Sequence, residues 1–181
     1  MLNSDYFIIG SNGLLGSTIK DILKKKNIRF LTSAKNKSNL NINLNDFSKL
    51  KKFIENNKFK YVINCAAYIN INECEKNYKK IRKINFLLPK LLTKLSIKHC
   101  FKLIQISTDQ VYFNKTNILN KENDKIYGLN NYAKSKILSE NATKKNVNNL
   151  IIRTNFTGRK KTKNNITFVD WLYSYHKNRK K

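Results

Sequence analysis

A tyrosine and a lysine four residues apart are the pair in this sequence best suited to moving a proton. Tyr132 and Lys136 fall one turn apart on the same face of a predicted helix. At that spacing a lysine ammonium can lie beside the phenol and lower its pKa from about 10. Such a phenol can donate a proton to a carbonyl oxygen. The same spacing recurs at Tyr173 and Lys177, so the surrounding residues must distinguish the two pairs.

Two adjacent hydroxyl residues favour the first pair. Ser107 and Thr108 directly follow a predicted strand over 102–106. Hydroxyls at the end of a strand can polarise the carbonyl that a nearby tyrosine protonates. The sequence therefore predicts that one of these hydroxyls meets the phenol of Tyr132 at a single site.

Three of the 5 glycines lie within seven residues, after the apolar run Tyr6-Phe7-Ile8-Ile9. A strand that turns through Gly10, Gly13 and Gly16 into a helix brings backbone N–H groups and the positive end of the helix dipole against a phosphate. The helix is predicted from apolar residues at its inward spacing, Leu15, Ile19, Ile22 and Leu23. The Gly-x-x-Gly-x-x-Gly spacing resembles the variant that short-chain dehydrogenases use to hold a dinucleotide.

Strands and helices alternate along the rest of the chain. Strands are predicted over 28–31, 40–44, 61–65, 102–106 and 149–153. Helices are predicted after the capping residue Asp46, over 73–98 with a kink or restart at Pro89, and over 131–143. This alternation predicts an α/β fold with a doubly wound parallel sheet and helices on both faces. Ligands of such sheets bind at the carboxyl ends of the strands.

The net charge of +26 raises the question of a nucleic-acid partner. Only five of the 37 basic residues are arginines, and lysines occur nearly everywhere along the chain. A dedicated nucleic-acid binder more often concentrates arginine and aromatic residues on one surface. We therefore expect a solvated basic surface and no nucleic-acid partner, although a polyanion binder remains an alternative.

The remaining composition points to an ordinary folded domain. No apolar run approaches the roughly 20 residues that span a bilayer, and the first residues lack the layout of a signal peptide, so we expect a cytoplasmic protein without a membrane partner. Cys65, Cys74 and Cys100 are too widely spaced to indicate a disulfide framework or a metal site. We expect all three to be small core residues.

Five motifs in order resemble those of dTDP-4-dehydrorhamnose reductases, which are extended short-chain dehydrogenases that modify nucleotide-linked sugars. They are residues 10–16, Asn64-Cys65-Ala66-Ala67-Tyr68, residues 107–112, Tyr132-Ala133-Lys134-Ser135-Lys136 and Arg153-Thr154. The resemblance implies a Rossmann-type fold and reduction of a sugar 4-keto group by NADPH or NADH, in the synthesis of cell-surface polysaccharide precursors. It also implies that Tyr132 donates the proton, that Thr108 orients the carbonyl with Ser107 as a second candidate, and that Lys136 lowers the tyrosine pKa and grips the nicotinamide ribose.

The resemblance also implies a set of cofactor-binding residues. Besides Tyr132 and Lys136 these are Gly10, Asn12, Gly13, Leu14, Leu15, Gly16, Ser33, Lys35, Asn43, Leu44, Cys65, Ala66 and Ala67. The second strand ends without the acidic residue that usually binds the ribose 2′-hydroxyl of NAD, and Lys35 or Lys37 can meet a 2′-phosphate instead. The chain also departs from the family at Asn43-Leu44, where an aspartate is common, and at Ala133, where glycine is usual.

Residues 1–158 are predicted to form the dinucleotide-binding domain, and 159–181 the start of a substrate region that is otherwise missing. A chain truncated in this way is expected to have negligible turnover. A second copy in a homodimer or a complementing C-terminal polypeptide is a candidate partner, besides the nucleotide-linked sugar. The alternatives are a nucleotide-sugar epimerase or dehydratase and a non-catalytic nucleotide-binding subunit.

Overall fold

The computed structural model describes residues 4–44, 46–112, 119–158 and 168–178. Its strands are β1 (Tyr6–Ile9), β2 (Phe30–Ala34), β3 (Leu40–Asn41), β4 (Tyr61–Asn64), β5 (Lys102–Ser107) and β6 (Leu150–Arg153). Its helices are α1 (Leu14–Lys25), α2 (Ser48–Glu55), α3 (Ile71–Lys76), α4 (Tyr78–Arg82), α5 (Leu88–His99), α6 (Asn131–Thr143) and α7 (Phe168–Asn178). A π-helical segment, Lys83–Leu87, joins α4 to α5, and a short 3-10 turn, Asp109–Val111, follows β5.

The six strands form one sheet in the order β3-β2-β1-β4-β5-β6, and every neighbouring pair is parallel. This is the strand order of a dinucleotide-binding Rossmann sheet, and the order reverses between β1 and β4. The predicted fold class is confirmed. The carboxyl ends of β1 and β4 therefore flank the crevice where such sheets bind their ligands.

The sheet is buried on both faces. Phe7 and Ile9 of β1 belong to a core cluster that also contains Leu50 of α2 and Leu92 of α5. Ile8 points to the opposite face, because side chains alternate along a strand, and it is fully buried as well. Helices therefore cover the sheet on two sides, as the alternating sequence predicts.

The bounds of β2 and β3 differ from the prediction. The predicted strand over 28–31 begins instead at Phe30, because the backbone N–H of Ile28 donates to Leu23 O and closes the end of α1. The predicted strand over 40–44 ends at Asn41, since Asn43 begins a turn in which its carbonyl accepts from the Asp46 N–H.

The long helix predicted over 73–98 is divided. Asn77 lies between α3 and α4 with a non-helical φ of −131°, so the helix is interrupted at Asn77 and not at Pro89. Pro89 is the second residue of α5, directly after the π-helical segment. Proline has no N–H to donate to the preceding turn, and the widened turn before it leaves the helix continuous from α4 into α5.

Two smaller expectations are also wrong. Ile22 was expected on the buried face of α1 but is 46% exposed, while Leu23 is buried. Cys100 was expected in the core, yet it is exposed at the left-handed residue that ends α5, whereas Cys74 is buried and Cys65 is partly buried. Asp46 lies one residue before the N-cap of α2, which is Phe47, and its carboxylate accepts from the Ser48 N–H at 2.8 Å.

Candidate functional site

The three glycines of the turn after β1 have different structural roles. Gly10 has a φ of +78°, and a Cβ there would lie 2.8 Å from Ala66 N. A Cβ on Gly16 would lie 2.4 Å from Gly10 O, so close packing of α1 against the turn excludes a side chain. A Cβ on Gly13 would meet only Gly10 O at 3.3 Å and otherwise faces open space. Gly10 and Gly16 therefore serve the fold, and Gly13 keeps the surface bare.

Open space in front of this turn forms a cleft of about 410 Å³, which we call the glycine cleft. Ten predicted cofactor residues line it: Gly10, Asn12, Gly13, Ser33, Lys35, Asn43, Leu44, Cys65, Ala66 and Ala67. Ala34, Asn36, Ile42, Tyr68 and Ile84 complete the lining. The predicted residues Leu14, Leu15, Gly16, Tyr132 and Lys136 are not part of it. Lys37 is exposed outside it.

The lining of the glycine cleft suits a dinucleotide. The hydroxyl of Ser33 is buried at its wall and has no hydrogen-bond partner among the described residues, so a bound polar group could satisfy it. The N–H groups of Gly10 and Ser11 both donate to Ser33 O and hold the turn against β2. The exposed Lys35 adds a cation at the same wall.

Tyr132 and Thr108 meet where β5 ends, as the sequence predicts. The phenol is 8% exposed and packs with Tyr68, which lines the glycine cleft. Burial raises the pKa of Tyr132 above its ordinary value, and a hydrogen bond with the Thr108 side chain offsets part of that rise. The phenol therefore keeps its proton at neutral pH and can act as a donor.

Lys136 behaves differently from the prediction. It is 3% exposed, and its Nζ donates to Ile106 O at 2.5 Å. Burial lowers the pKa of Lys136 to about 8, and the carboxylate of Glu140 partly opposes that effect. The sequence predicted that Lys136 lowers the pKa of Tyr132, and this is wrong for this structure. Burial of the phenol raises its pKa, and the Lys136 ammonium is bonded to the β5 backbone.

Ser107 does not share the surroundings of Thr108. Its hydroxyl donates to Glu140 Oε1 at 2.6 Å inside the protein. Thr108 is therefore the hydroxyl that contacts the phenol, and Ser107 contacts the carboxylate behind it.

The second tyrosine-lysine pair is separated from the site by its surroundings. Tyr173 lies on α7 and is 65% exposed. Burial and the neighbouring hydroxyl therefore distinguish Tyr132, as the sequence context suggested.

Asn85 is a site residue that the sequence reasoning missed. It lies in the π-helical segment and is 1% exposed. Its side chain accepts from Tyr68 N at 2.8 Å and donates to Tyr68 O and to Ser135 Oγ. Asn85 thus ties the wall of the glycine cleft to the helix that carries Tyr132. The available signal was a single amide within an apolar helical run, Ile84-Asn85-Phe86-Leu87-Leu88.

The N-terminus of α6 is anchored as well. The side chain of Asn130 caps it by accepting from the Ala133 N–H at 2.8 Å. The carboxylate of Glu75 on α3 accepts from both the backbone and the side chain of Asn131. These contacts fix the turn in which Tyr132 lies.

A larger cleft of about 770 Å³ lies at the opposite end of the sheet. Tyr61 and Lys102, the first residues of β4 and β5, are among its lining residues. Parallel sheets bind their ligands at the other end of the strands, where the hydroxyls and the glycine turn lie. We therefore assign the candidate site to the smaller cleft despite its volume.

The described residues contain neither a candidate metal site nor a candidate membrane-spanning helix. No group of three or more His, Cys, Asp or Glu side chains in that part of the chain could hold a metal ion. None of the described helices combines the length and the apolar character needed to cross a membrane.

Comparisons with known proteins agree with this geometry. The Haloferax volcanii protein described as a probable low-salt glycan biosynthesis reductase, Agl14, is 27% identical over 177 residues, which are 93% of this chain and 59% of that protein. The crystal structure of a dTDP-4-dehydrorhamnose reductase from Clostridium acetobutylicum is 30% identical with a TM-score of 0.84, over 96% of this chain and 60% of that one. The same enzyme from Bacillus anthracis, in complex with NADP, shares the fold with a TM-score of 0.85 at 23% identity, over 98% of this chain and 61% of that one.

The chain thus spans about three-fifths of the length of these relatives. A family profile described as "RmlD substrate binding domain" matches residues 5–180. Since that match extends over nearly the whole sequence, the chain belongs to the RmlD substrate binding domain family.

Proposed function

We propose that this chain is the cofactor-binding part of an NADPH-dependent reductase that acts on the 4-keto group of a nucleotide-linked deoxysugar, as in dTDP-4-dehydrorhamnose reduction for cell-surface polysaccharide precursors. The observation that carries the proposal is the buried Tyr132 at the carboxyl end of β5, packed with Tyr68 of the glycine cleft and close enough to Thr108 for that side chain to act on the pKa of the phenol. A protonated phenol and a hydroxyl at the carboxyl end of β5 form a donor pair for a carbonyl oxygen.

Each residue of the pair has a separate task in this proposal. When bound, the reduced nicotinamide supplies the hydride. Tyr132 donates its proton to the carbonyl oxygen as negative charge develops there, and its raised pKa keeps that proton available. The Thr108 hydroxyl donates a hydrogen bond to the same carbonyl oxygen and orients the carbonyl group. Lys136 lies one turn after Tyr132 on α6 and is proposed to contact the nicotinamide ribose, as the family resemblance implies.

The glycine cleft would hold the rest of the cofactor. Gly13 and the N-terminus of α1 face the pyrophosphate, and Ala66 and Ala67 leave room beside it. Asn43 and Leu44 also line the cleft and are proposed to contact the adenine. NADPH is favoured over NADH because the wall carries Ser33 and Lys35 and no carboxylate for a ribose 2′-hydroxyl.

Lys35→Glu tests the cofactor preference. Reversing this charge should weaken NADPH about tenfold while changing NADH affinity much less, since only NADPH carries the 2′-phosphate. Affinities would be measured by cofactor fluorescence, with Lys37→Glu as a matched charge reversal outside the cleft. Equal losses for the two cofactors would remove Lys35 from 2′-phosphate recognition.

Gly13→Val tests the proposal as a whole. The new side chain faces open space in the protein, so we expect the fold to survive and NADPH affinity to fall by about tenfold or more. Thr18→Val is the control, because it places the same side chain on an exposed position of the same helix. Unchanged NADPH affinity in Gly13→Val, or no NADPH binding by the parent chain, would overturn the assignment of the cleft.

The substrate side of the site is proposed to be completed by further polypeptide. We assign 1–158 to the dinucleotide-binding domain and 159–181 to the start of the substrate region; residues 159–167 lie outside the described part of the chain. Leu150 and Ile152 of the edge strand β6 are exposed, as is Phe156, which would suit a covering segment from a complementing polypeptide or from a second copy in a homodimer.

The relatives favour reduction among the alternatives. The Haloferax and Clostridium proteins both carry the name of a reductase, which supports this chemistry over epimerisation or dehydration. We place the proposed activity in the cytoplasm, where NADPH and nucleotide-linked sugars are found. That the chain has neither a nucleic-acid nor a membrane partner stays a prediction.

A further inference from the structure

Behind the Tyr132–Thr108 pair lies a buried carboxylate that the proposed chemistry does not use. Glu140 is fully buried on α6, one turn beyond Lys136. Arg153 donates to it through Nε at 3.0 Å and through a second nitrogen at 2.7 Å. The Ser107 hydroxyl donates to the same carboxylate. A carboxylate with three donors inside a protein is held in one orientation.

These contacts join the elements that build the site. Ser107 and Arg153 are register partners at the ends of β5 and β6, and Ser107 precedes Thr108. Arg153 also donates to the Tyr112 hydroxyl at 2.7 Å and to Glu122 O at 2.8 Å. The Glu140 side chain on α6 therefore contacts the end of β5, next to Thr108. Through Arg153 it is also connected to β6 and to the segments that contain Tyr112 and Glu122.

The same carboxylate acts on Lys136 across the protein interior. Two groups exert resolved electrostatic effects on the Lys136 ammonium: Glu140 from the same helix and the Cys65 thiol from the end of β4. Arg153 lies behind Glu140, whereas Asp109 and Cys74 act on Tyr132. Of these, Glu140 is the carboxylate that can stabilise the buried ammonium, and it also forms an ion pair with Arg153 at 2.7 Å.

We propose that Glu140 is a positioning residue of the site, which fixes the β5 end bearing Thr108 and keeps Lys136 in its charged form, while Arg153 sets how much of the carboxylate's charge reaches Lys136. The catalytic meaning of this assignment rests on the proposed function. The electrostatic coupling between Glu140 and Lys136 is independent of the proposed function, because it can be measured in the chain without cofactor.

The test is the titration of Lys136 in the parent chain and in three variants, all labelled with ¹³C-lysine and observed at Cε. The Lys136 signal is assigned by its absence from Lys136→Met. Glu140→Gln removes the negative charge and should lower the Lys136 pKa by about 1. Arg153→Met removes the competing cation and should raise the same pKa. Glu55→Gln, in an exposed pair with Lys98 on the other side of the protein, should leave it unchanged.

Opposite shifts distinguish positioning from a purely structural role, because both variants break one ion pair and both should lose thermal stability. If Glu140→Gln does not fold, the carboxylate is removed in the Arg153→Met background, where the double variant should titrate below the single one. Shifts in the same direction, or none, would overturn the proposal. Failure of the parent chain to bind NADPH would instead contradict the proposed function and leave the measured coupling standing.

Discussion

The phenol of Tyr132 is the group whose removal should separate chemistry from binding. In a protein that carries this chain together with a complete substrate region, Tyr132→Phe should lower kcat by about 100-fold or more, because general acid catalysis is lost. NADPH affinity should stay nearly unchanged, since Tyr132 does not line the glycine cleft. Steady-state rates and cofactor titration would be measured on the same preparations.

Tyr173→Phe is the matched control, because this second tyrosine stands four residues before a lysine but is exposed on α7. It should leave kcat within about twofold of the parent. A larger loss for Tyr173→Phe than for Tyr132→Phe would show that the other pair carries the chemistry.

Single residues illustrate what the sequence could and could not predict about the site. The order and spacing of the motifs predicted that Thr108 lies next to Tyr132 and that Gly13 lines the glycine cleft. Both follow from local features of the chain, the end of a strand and the start of a helix. The pKa of Lys136 and the contact of Ser107 with Glu140 depend on burial between β5 and α6. Burial of that kind is decided by tertiary packing, which spacing along the chain does not reveal.

The π-helical segment should depend on the amide of Asn85. Asn85→Leu removes the acceptor for Tyr68 N and leaves the buried polar atoms around it without a partner. We expect the free energy of unfolding to fall by about 3 kcal/mol, measured by urea denaturation. NADPH affinity should fall as well, because Tyr68 lines the glycine cleft.

Asn148→Leu supplies the comparison for the same substitution, because Asn148 is exposed and only its backbone N–H makes a described hydrogen bond. It should change the unfolding free energy by less than about 0.5 kcal/mol. An Asn85 variant as stable as this control would mean that the amide is not needed to join the segment to α6.

At the level of elements, the sequence predicted α6 with its observed bounds but shifted β2. The helix is marked at both ends, by the capping Asn130 and by the polar run after Thr143. In β2 the buried residues Thr32 and Ser33 are polar, and Thr32 bonds to Asn39. A rule based on apolar runs therefore selects the preceding Ile28, which follows α1 and donates its N–H to Leu23 O.

The whole chain should bind cofactor without turning over substrate. Residues 1–181 span about three-fifths of the related proteins, and β6 is the last strand of the sheet that the described residues form. Without further polypeptide over that edge, little would hold a sugar nucleotide in the geometry that hydride transfer requires. We expect NADPH oxidation with a nucleotide-linked 4-keto sugar to stay at the background rate.

The informative comparison is the purified chain alone against the same chain supplied with the remaining part of a related reductase. Robust steady-state reduction by the chain alone would contradict the prediction. Restored turnover in the mixture would support a complementing partner.

The strand order has a consequence for how the molecule can be made. In chain order, each described strand after β1 has one partner that is made before it: β2 pairs with β1, β3 with β2, β4 with the free side of β1, β5 with β4 and β6 with β5. No strand has to insert between two that are already paired. The sheet can therefore assemble on the ribosome in the order of synthesis, growing outward from its oldest strand. An interruption at any stage would leave a narrower sheet with an open margin, never one with a gap in its middle.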